Sequence, residues 1–257
     1  MQKQAVWHTP SQLIEPLSGV TVLLIGAGGT GSLIAWKLAR MHMAMQALGH
    51  PGLLMTIVDF DRFSEYNGGR CMFPYMDIGR NKAVSLISQL NRYFGMNVNG
   101  VYKPLKEYRA NIIITAVDRL DVRVEVSKRA REMAKERHNA HEDQFHLWLD
   151  LGNGKDYGQA VLGGSGLQNA CEILKLTEID QQEEDQQPSC STAEALQKQD
   201  LMINDQIALM GVNLLWEVFR RGHLKHNAVY YNHADWTMRP GGLHLSPQDE
   251  LPEKDDD

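Results

Sequence analysis

Short apolar runs alternate with amphipathic stretches along the N-terminal half of the chain. Residues 20–25 are apolar apart from one threonine and predict a buried strand, whereas the apolar positions of residues 30–47 recur at helical spacing. A second apolar run at 53–58 completes a β-α-β unit, for which a right-handed crossover is expected. Further helices are predicted at 81–94 and 119–137, and further strands at 98–102, 111–117 and 146–151. This alternation indicates an α/β fold with a mostly parallel sheet.

The C-terminal half has fewer alternating elements. A strand at 159–162 is expected to pair with its predecessor as a hairpin, because the intervening residues are rich in glycine. Residues 200–221 form a long amphipathic pattern whose apolar face can pack on the sheet. A last strand is predicted at 228–231.

Two segments lack the apolar residues needed to join a core. Residues 181–187 read Gln-Gln-Glu-Glu-Asp-Gln-Gln and predict a mobile loop, and the acidic end at 246–257 predicts a disordered tail. The chain is therefore divided into an N-terminal segment at 1–19, one domain at 20–240 with a mobile loop at about 175–199, and a tail at 241–257.

Composition narrows the class of protein. The 257 residues, 43% of them hydrophobic, suit a single large domain, and a net charge of −6 gives no basic field for nucleic acid or anionic lipid. The cysteines, Cys71, Cys171 and Cys190, form no Cys-x-x-Cys pair, so neither a zinc site nor a disulfide framework is expected. No apolar run is long enough to span a bilayer and no signal peptide is visible, which predicts a cytoplasmic protein.

The first predicted strand runs directly into a glycine-rich turn that contains Gly26, Gly28, Gly29 and Gly31. A strand that ends in glycines and opens a helix presents unpaired backbone N–H groups and the positive end of the helix dipole to one point. Such a turn favours a bound phosphate. Alone it does not distinguish nicotinamide, flavin and adenylate chemistry.

Asp59, at the end of the second strand, is placed to hydrogen-bond a nucleotide ribose. Dinucleotide-binding folds place this acidic residue about 20 positions beyond the glycines. Here the separation from Gly31 is 28 residues (59 minus 31). The spacing therefore weakens the interpretation as a nicotinamide- or flavin-dependent oxidoreductase, which is kept as an alternative.

Several polar residues follow the glycine turn in a fixed order. Asp59 and Asp61 come first, then the Asn-x-x-Arg pair Asn67 and Arg70; after these come Lys82 at the start of a predicted helix and Asp118 after the fourth predicted strand. In this order the sequence resembles the ThiF/MoeB/E1 family of adenylating enzymes, which activate the C-terminal glycine of ubiquitin-like proteins. The resemblance covers about residues 15–240. Segments 188–191 and 195–200 most resemble ThiF-type proteins of bacterial PRTRC gene systems, where a small ubiquitin-like protein is encoded as well.

The resemblance implies a Rossmann-like, doubly wound sheet with antiparallel C-terminal strands, and a site for ATP and Mg²⁺. A peptide carboxylate is ionised at neutral pH, so the obstacle to its attack on ATP is charge repulsion, which positioned cations relieve. Arg70 would hold phosphate oxygens and Lys82 the leaving group. The resemblance assigns phosphate positioning to Asn67, the ribose to Asp59 and Mg²⁺ to Asp118. Asp61 would orient the loop.

Cys190 has two interpretations. It follows the polar loop and precedes a helix, a setting that can lower a thiol pKa, and many relatives use a cysteine in such a crossover loop as a thioester carrier. The alternative is a packed structural cysteine. Cys71 and Cys171 are interpreted as structural.

Two features depart from the family pattern. The first arginine in the chain is Arg40, so the N-terminal arginine that dimeric relatives donate to the partner's ATP is missing or replaced, and the zinc-binding cysteine pairs are absent. The favoured hypothesis is adenylation of a small ubiquitin-like protein, with an E2-like acceptor and a homodimer as implied partners. A catalytically silent nucleotide-binding module is a further alternative.

Overall fold

The computed structural model describes residues 5–100, 107–135, 144–178 and 199–246. A seven-stranded sheet forms the centre of the molecule, and a two-stranded sheet joins the N-terminal segment to the end of the last helix. The strands are β1 (Trp7–His8), β2 (Val20–Ile25), β3 (Leu53–Val58), β4 (Ile112–Thr115), β5 (Leu147–Asn153), β6 (Tyr157–Gly164), β7 (His223–Leu224), β8 (Ala228–Asn232) and β9 (Thr237–Pro240).

The strand order of the large sheet is β3-β2-β4-β5-β6-β8-β9. The first four strands are parallel, and β6, β8 and β9 add to them in antiparallel pairs. The chain leaves β2 for β3 on one side and returns to β4 on the other, so a topological switch point lies beside β2. The predicted doubly wound sheet with antiparallel C-terminal strands is confirmed.

Helices cover both faces of the sheet. They are α1 (Ser11–Ile14), α2 (Gly29–Ala47), α3 (Lys82–Phe94), α4 (Leu120–Lys135), α5 (Ala170–Ile173) and α6 (Ile203–Arg221). One core cluster joins α2, α3 and α6 to one face, and a second joins α4 and α5 to the other. The predicted apolar faces of α2 and α6 are buried here, including Ile34, Leu38, Ile207 and Leu215.

Some predicted elements differ from those observed. Of the strand expected at 98–102, residues 98–100 are described, and they form an isolated bridge between Thr56 and Asn99 in place of a strand. Helix α6 begins at Ile203, not at Asp200, because Asp200 forms a turn in which its carboxylate accepts the backbone N–H of Met202. Strand β9 was not predicted: it is a mostly exposed edge strand that backbone hydrogen bonds to β8 hold in place.

Several predictions lie outside the described residues. These are residues 179–198 of the loop at 175–199, including Cys190, segment 188–191 and all but the last two residues of segment 195–200, and residues 247–257 of the tail at 241–257. In the described part of the chain, every helix is too short or too polar to cross a bilayer.

Candidate nucleotide site

The glycine turn connects β2 to α2 and is shaped by two close approaches. Gly26 has φ +95°, and a side chain there would overlap the carbonyl oxygen of Ala116. At Gly31 a Cβ would overlap the carbonyl of Gly26. Gly28 has open space around it, so the backbone is accessible to a ligand at this position. Gly26 and Gly31 therefore shape the turn, and the part of the loop that a ligand can reach begins at Gly28.

A cavity of about 110 Å³ lies at the N-terminus of α2, at the carboxyl ends of β2, β4 and β5. Six of the residues predicted from sequence line it: Gly28, Gly29, Asn67, Arg70, Lys82 and Asp118. Ala116 and Leu151 form its apolar part. Pockets for drug-sized ligands usually measure about 300–1,000 Å³, so this smaller cavity is of a size for the phosphate end of a nucleotide.

Arg70 reaches the cavity from the loop between β3 and α3. A capping box at Ser64 and Asn67 holds this loop, and the carbonyl of Asn67 accepts the backbone N–H of Arg70 at 3.2 Å. Nε of Arg70 is buried without a hydrogen-bond partner among the described residues, and Nη1 is 3.5 Å from Oε1 of Gln199. A half-buried arginine whose buried Nε–H has no partner among the described residues fits an anionic ligand.

Lys82 is the first residue of α3. Asn81 caps this helix by accepting the N–H of Val84, and its amide nitrogen donates to the carbonyl of Asp59 at 2.8 Å. The Lys82 ammonium lies 3.0 Å from the carboxylate of Asp61; the lysine side chain is 12% exposed and the aspartate 74%. Asp61 therefore fixes the position of Lys82 from the solvent side, a more specific contact than the loop-orienting role predicted for it.

Asp59 stabilises the glycine turn directly. Its carboxylate accepts the N–H of Ala27 at 2.6 Å and that of Asp61 at 2.8 Å. Burial raises the pKa of this carboxyl, and the two backbone hydrogen bonds act in the opposite direction. Asp59 does not belong to the cavity lining. Its ribose-binding role stays a prediction.

Asp118 follows β4 and has an exposed side chain at the edge of the cavity. Among the described residues, no group of three or more histidine, cysteine, aspartate and glutamate side chains is arranged to hold a metal. Mg²⁺ is commonly bound by one or two carboxylates together with substrate phosphates. The donor set of one carboxylate beside a phosphate-sized cavity fits that arrangement.

Cys71 lines the same cavity, which the sequence interpretation did not predict. Burial raises the pKa of its thiol to about 11, although Lys82 and Arg70 act to lower it. Cys71 is therefore protonated at neutral pH and is a poor nucleophile. Cys171 is buried, and its Sγ lies 3.9 Å from the carbonyl of Arg123.

Four further polar residues in the lining were missed: Thr30, Asn153, Gln199 and Asn204. Asn204 is buried on the sheet-facing side of α6, between the apolar positions Ile203 and Ile207. An asparagine within an apolar helical face is a signal that sequence analysis could have used, because buried polar groups need partners.

A family model described as the ThiF family matches residues 4–200. The chain belongs to the ThiF family. This confirms the predicted resemblance at the level of the family, while membership of the PRTRC subgroup stays a prediction. A search of curated proteins finds no match.

Solved structures of E. coli MccB share the fold of this ThiF-family chain. The structure with ATP has 16% identity and a TM-score of 0.61, covering 90% of this chain and 66% of MccB. The structure with AMPCPP and MccA has 15% identity and a TM-score of 0.59, covering 89% and 65%. The chain thus spans about 65% of the length of MccB. At this identity the likeness establishes the fold.

Proposed function

We propose that this ThiF-family protein uses ATP to adenylate the C-terminal glycine of a small ubiquitin-like protein and releases pyrophosphate. The observation that carries the proposal is that Arg70, from the loop between β3 and α3, and Lys82, the first residue of α3, both line the cavity that the glycine turn opens into. A cation pair beside a helix N-terminus is suited to a polyphosphate. That solved structures of the similar MccB contain ATP in one case and MccA in another supports the choice of ligand classes.

In the proposed reaction, a carboxylate oxygen of the glycine attacks the α-phosphorus of ATP. An O–P bond forms, the bond from that phosphorus to the bridging oxygen breaks, and pyrophosphate leaves with the electron pair; no proton has to be removed. The positive charges of Arg70 and Lys82 reduce the repulsion between the peptide carboxylate and the phosphates of ATP. Asp118 would hold Mg²⁺, which supplies further positive charge to the phosphate oxygens when bound.

The experiment that tests this function is ATP–pyrophosphate exchange with purified small proteins that end in glycine. Exchange that depends on the added protein and on its terminal glycine is the expected result. ATP binding without exchange for any candidate would instead indicate a nucleotide-binding module, and tightly bound NADH or flavin in the purified protein would indicate an oxidoreductase.

Asp118→Ala is expected to reduce exchange about a hundredfold or more at low Mg²⁺ concentration, because the carboxylate beside the phosphates is lost. The measurement is the exchange rate as a function of Mg²⁺ concentration. Asp121→Ala is the matched control, since Asp121 is an exposed carboxylate on α4 that pairs with Arg119. Equal Mg²⁺ dependence in both variants would exclude the role of Asp118.

The thiolate of Cys190 is proposed to attack the acyl carbon of the adenylate, so that a thioester forms and AMP leaves, and the acyl group then passes to a thiol of an E2-like acceptor. Cys190→Ala should then leave exchange intact and remove a reductant-sensitive conjugate seen on a non-reducing gel. Cys71→Ala is the control, because the raised pKa of the Cys71 thiol makes it a poor carrier. A conjugate that persists without Cys190 would show that this cysteine is not the carrier.

A homodimer is also proposed. Exposed apolar side chains are concentrated in the segment that leads from β3 into the cavity: Phe60, Tyr66, Met72, Tyr75 and Met76. Exposed apolar patches commonly mark protein interfaces, and we place the contact between the two copies in this segment. Light scattering should give about twice the chain mass of 29.0 kDa, and a mass of one chain at micromolar concentration would contradict the proposal.

A further inference from the structure

A network of amides lies on the side of the cavity that faces α6. Asn204 is buried, and its Oδ1 accepts hydrogen bonds from Thr30 Oγ1 and from Asn153 Nδ2, both at 2.7 Å. Its Nδ2 donates to Oε1 of Gln199 at 2.9 Å and lies directly against Gly29, where a Cβ would approach it to 2.8 Å. One side chain therefore joins the glycine turn, the end of β5 and Gln199 in the segment that leads into α6.

The chemistry of these contacts fixes the orientation of the Gln199 amide. Oε1 accepts from Asn204 Nδ2 and lies 3.5 Å from Nη1 of Arg70. Both neighbouring groups are hydrogen-bond donors, so turning the Gln199 amide by 180° would place its Nε2 donor against them. The orientation of Asn204 follows from that of Gln199: Oε1 of Gln199 accepts and therefore faces Nδ2 of Asn204, which leaves Oδ1 of Asn204 to accept from the hydroxyl of Thr30. Nε2 of Gln199 is consequently the end left for a ligand, since no described residue accepts a hydrogen bond from it and Gln199 lines the cavity.

We propose that Gln199 is a ligand-binding residue of this site, whose Nε2 donates to the phosphate oxygen that Arg70 also holds. Asn204 and Thr30 are its positioning residues. The inference rests on the proposed function and adds to it a neutral donor from the segment that leads into α6. Gln199 lies four residues before Ile203, the first residue of α6, so binding of the phosphate would also hold the segment that leads into that helix against the glycine turn.

The direct test is the dissociation constant for ATP, and for inorganic pyrophosphate as a smaller probe, of the unmodified protein and two variants. Gln199→Ala should weaken both about tenfold, the loss expected for a hydrogen bond to a charged group. Gln199→Glu should weaken them further, because a carboxylate would pair with Arg70 and repel the phosphate. Unchanged or tighter binding by Gln199→Ala would overturn the proposal, since Gln199 would then only compete with the ligand for Arg70.

The positioning role is tested with a matched pair at Thr30. Thr30→Val keeps the side-chain shape and removes the hydroxyl, whereas Thr30→Ser keeps the hydroxyl. Valine should weaken pyrophosphate binding several-fold, about as much as a lost hydrogen bond, and serine should recover most of that loss at a similar melting temperature. Equal affinities in the two variants would overturn this role.

The outcomes also separate this inference from the proposed function. ATP binding without pyrophosphate exchange in the unmodified protein would contradict the proposed adenylation. The dissociation constants of the Gln199 variants would still show whether Gln199 binds the phosphate. Failure of the unmodified protein to bind either probe would overturn both.

Discussion

Arg70→Ala is expected to lower the rate of ATP–pyrophosphate exchange by about a hundred- to a thousandfold, the usual cost of removing one preorganised charge from a reaction that depends on electrostatic stabilisation. The guanidinium is held by the loop that Asn67 caps, and its buried Nε has no partner among the described residues. The interaction it lacks is the one a phosphate would supply. Lys82→Met should have an effect of similar size, because it removes the ammonium and keeps the aliphatic stem.

Both variants are expected to fold. Arg70 loses only a long contact to Gln199, and Lys82 loses an ion pair whose other member, Asp61, is largely exposed to water. Arg92→Ala is the control, since Arg92 is an exposed residue in the last turn of α3 and does not line the cavity. Exchange rates that match the control, at unchanged thermal stability, would show that the cavity is not where ATP reacts.

The part of the site that could be predicted from sequence is the part built from local order. The glycine turn lies between a strand and a helix, and Asn67, Arg70 and Lys82 follow on a single connection between β3 and α3. Each carries its own local signal, namely a turn, a cap or a helix start. Parallel strands place their carboxyl ends at one edge of the sheet, so the residues that follow β2 and β3 are expected to lie close together.

The amide network could not be predicted in this way. Thr30 and Asn204 are 174 residues apart, and they meet only because α6 packs against α2. Nothing in the spacing of their neighbours specifies that contact. The edge strand β9 was missed for a related reason: its residues bury little, and pairing with β8 determines its conformation.

Asp59 shows where a correct position does not fix a role. The sequence placed it at the end of the second strand, where it is found, and family resemblance assigned it to a ribose. In the structure its carboxylate accepts two backbone N–H groups, one of them within the glycine turn. Whichever ligand binds, Asp59 contributes to the shape of the turn.

The largest effect on stability is expected at Asp150. This aspartate of β5 has 0% exposure and forms a two-point ion pair with Arg123 of α4, whose side chain is 11% exposed. Thr115 Oγ1 donates to the same carboxylate at 2.6 Å, and the indole N–H of Trp148 donates to that hydroxyl at 2.9 Å. The pair attaches α4 to the sheet close to Asp118, so it holds one side of the nucleotide cavity in place.

Asp150→Asn should lower the free energy of unfolding by about 3–5 kcal/mol, because the substitution keeps the volume and removes the charge that neutralises the guanidinium. Urea denaturation followed by circular dichroism measures the loss. Asp121→Asn is the matched control: its partner Arg119 is exposed, and the free energy of unfolding should stay nearly unchanged. Similar losses in the two variants would contradict the argument from burial.

The double variant Arg123→Met with Asp150→Leu separates the charge from the packing. If the cost at Asp150 is that of a buried charge left without its counter-ion, replacing both ions by apolar side chains should recover most of the lost stability. If instead the pair is needed as a whole to hold α4, the double variant should be as unstable as Asp150→Asn. In the first case Asp118 keeps its position and pyrophosphate exchange survives; in the second, exchange is lost together with the helix.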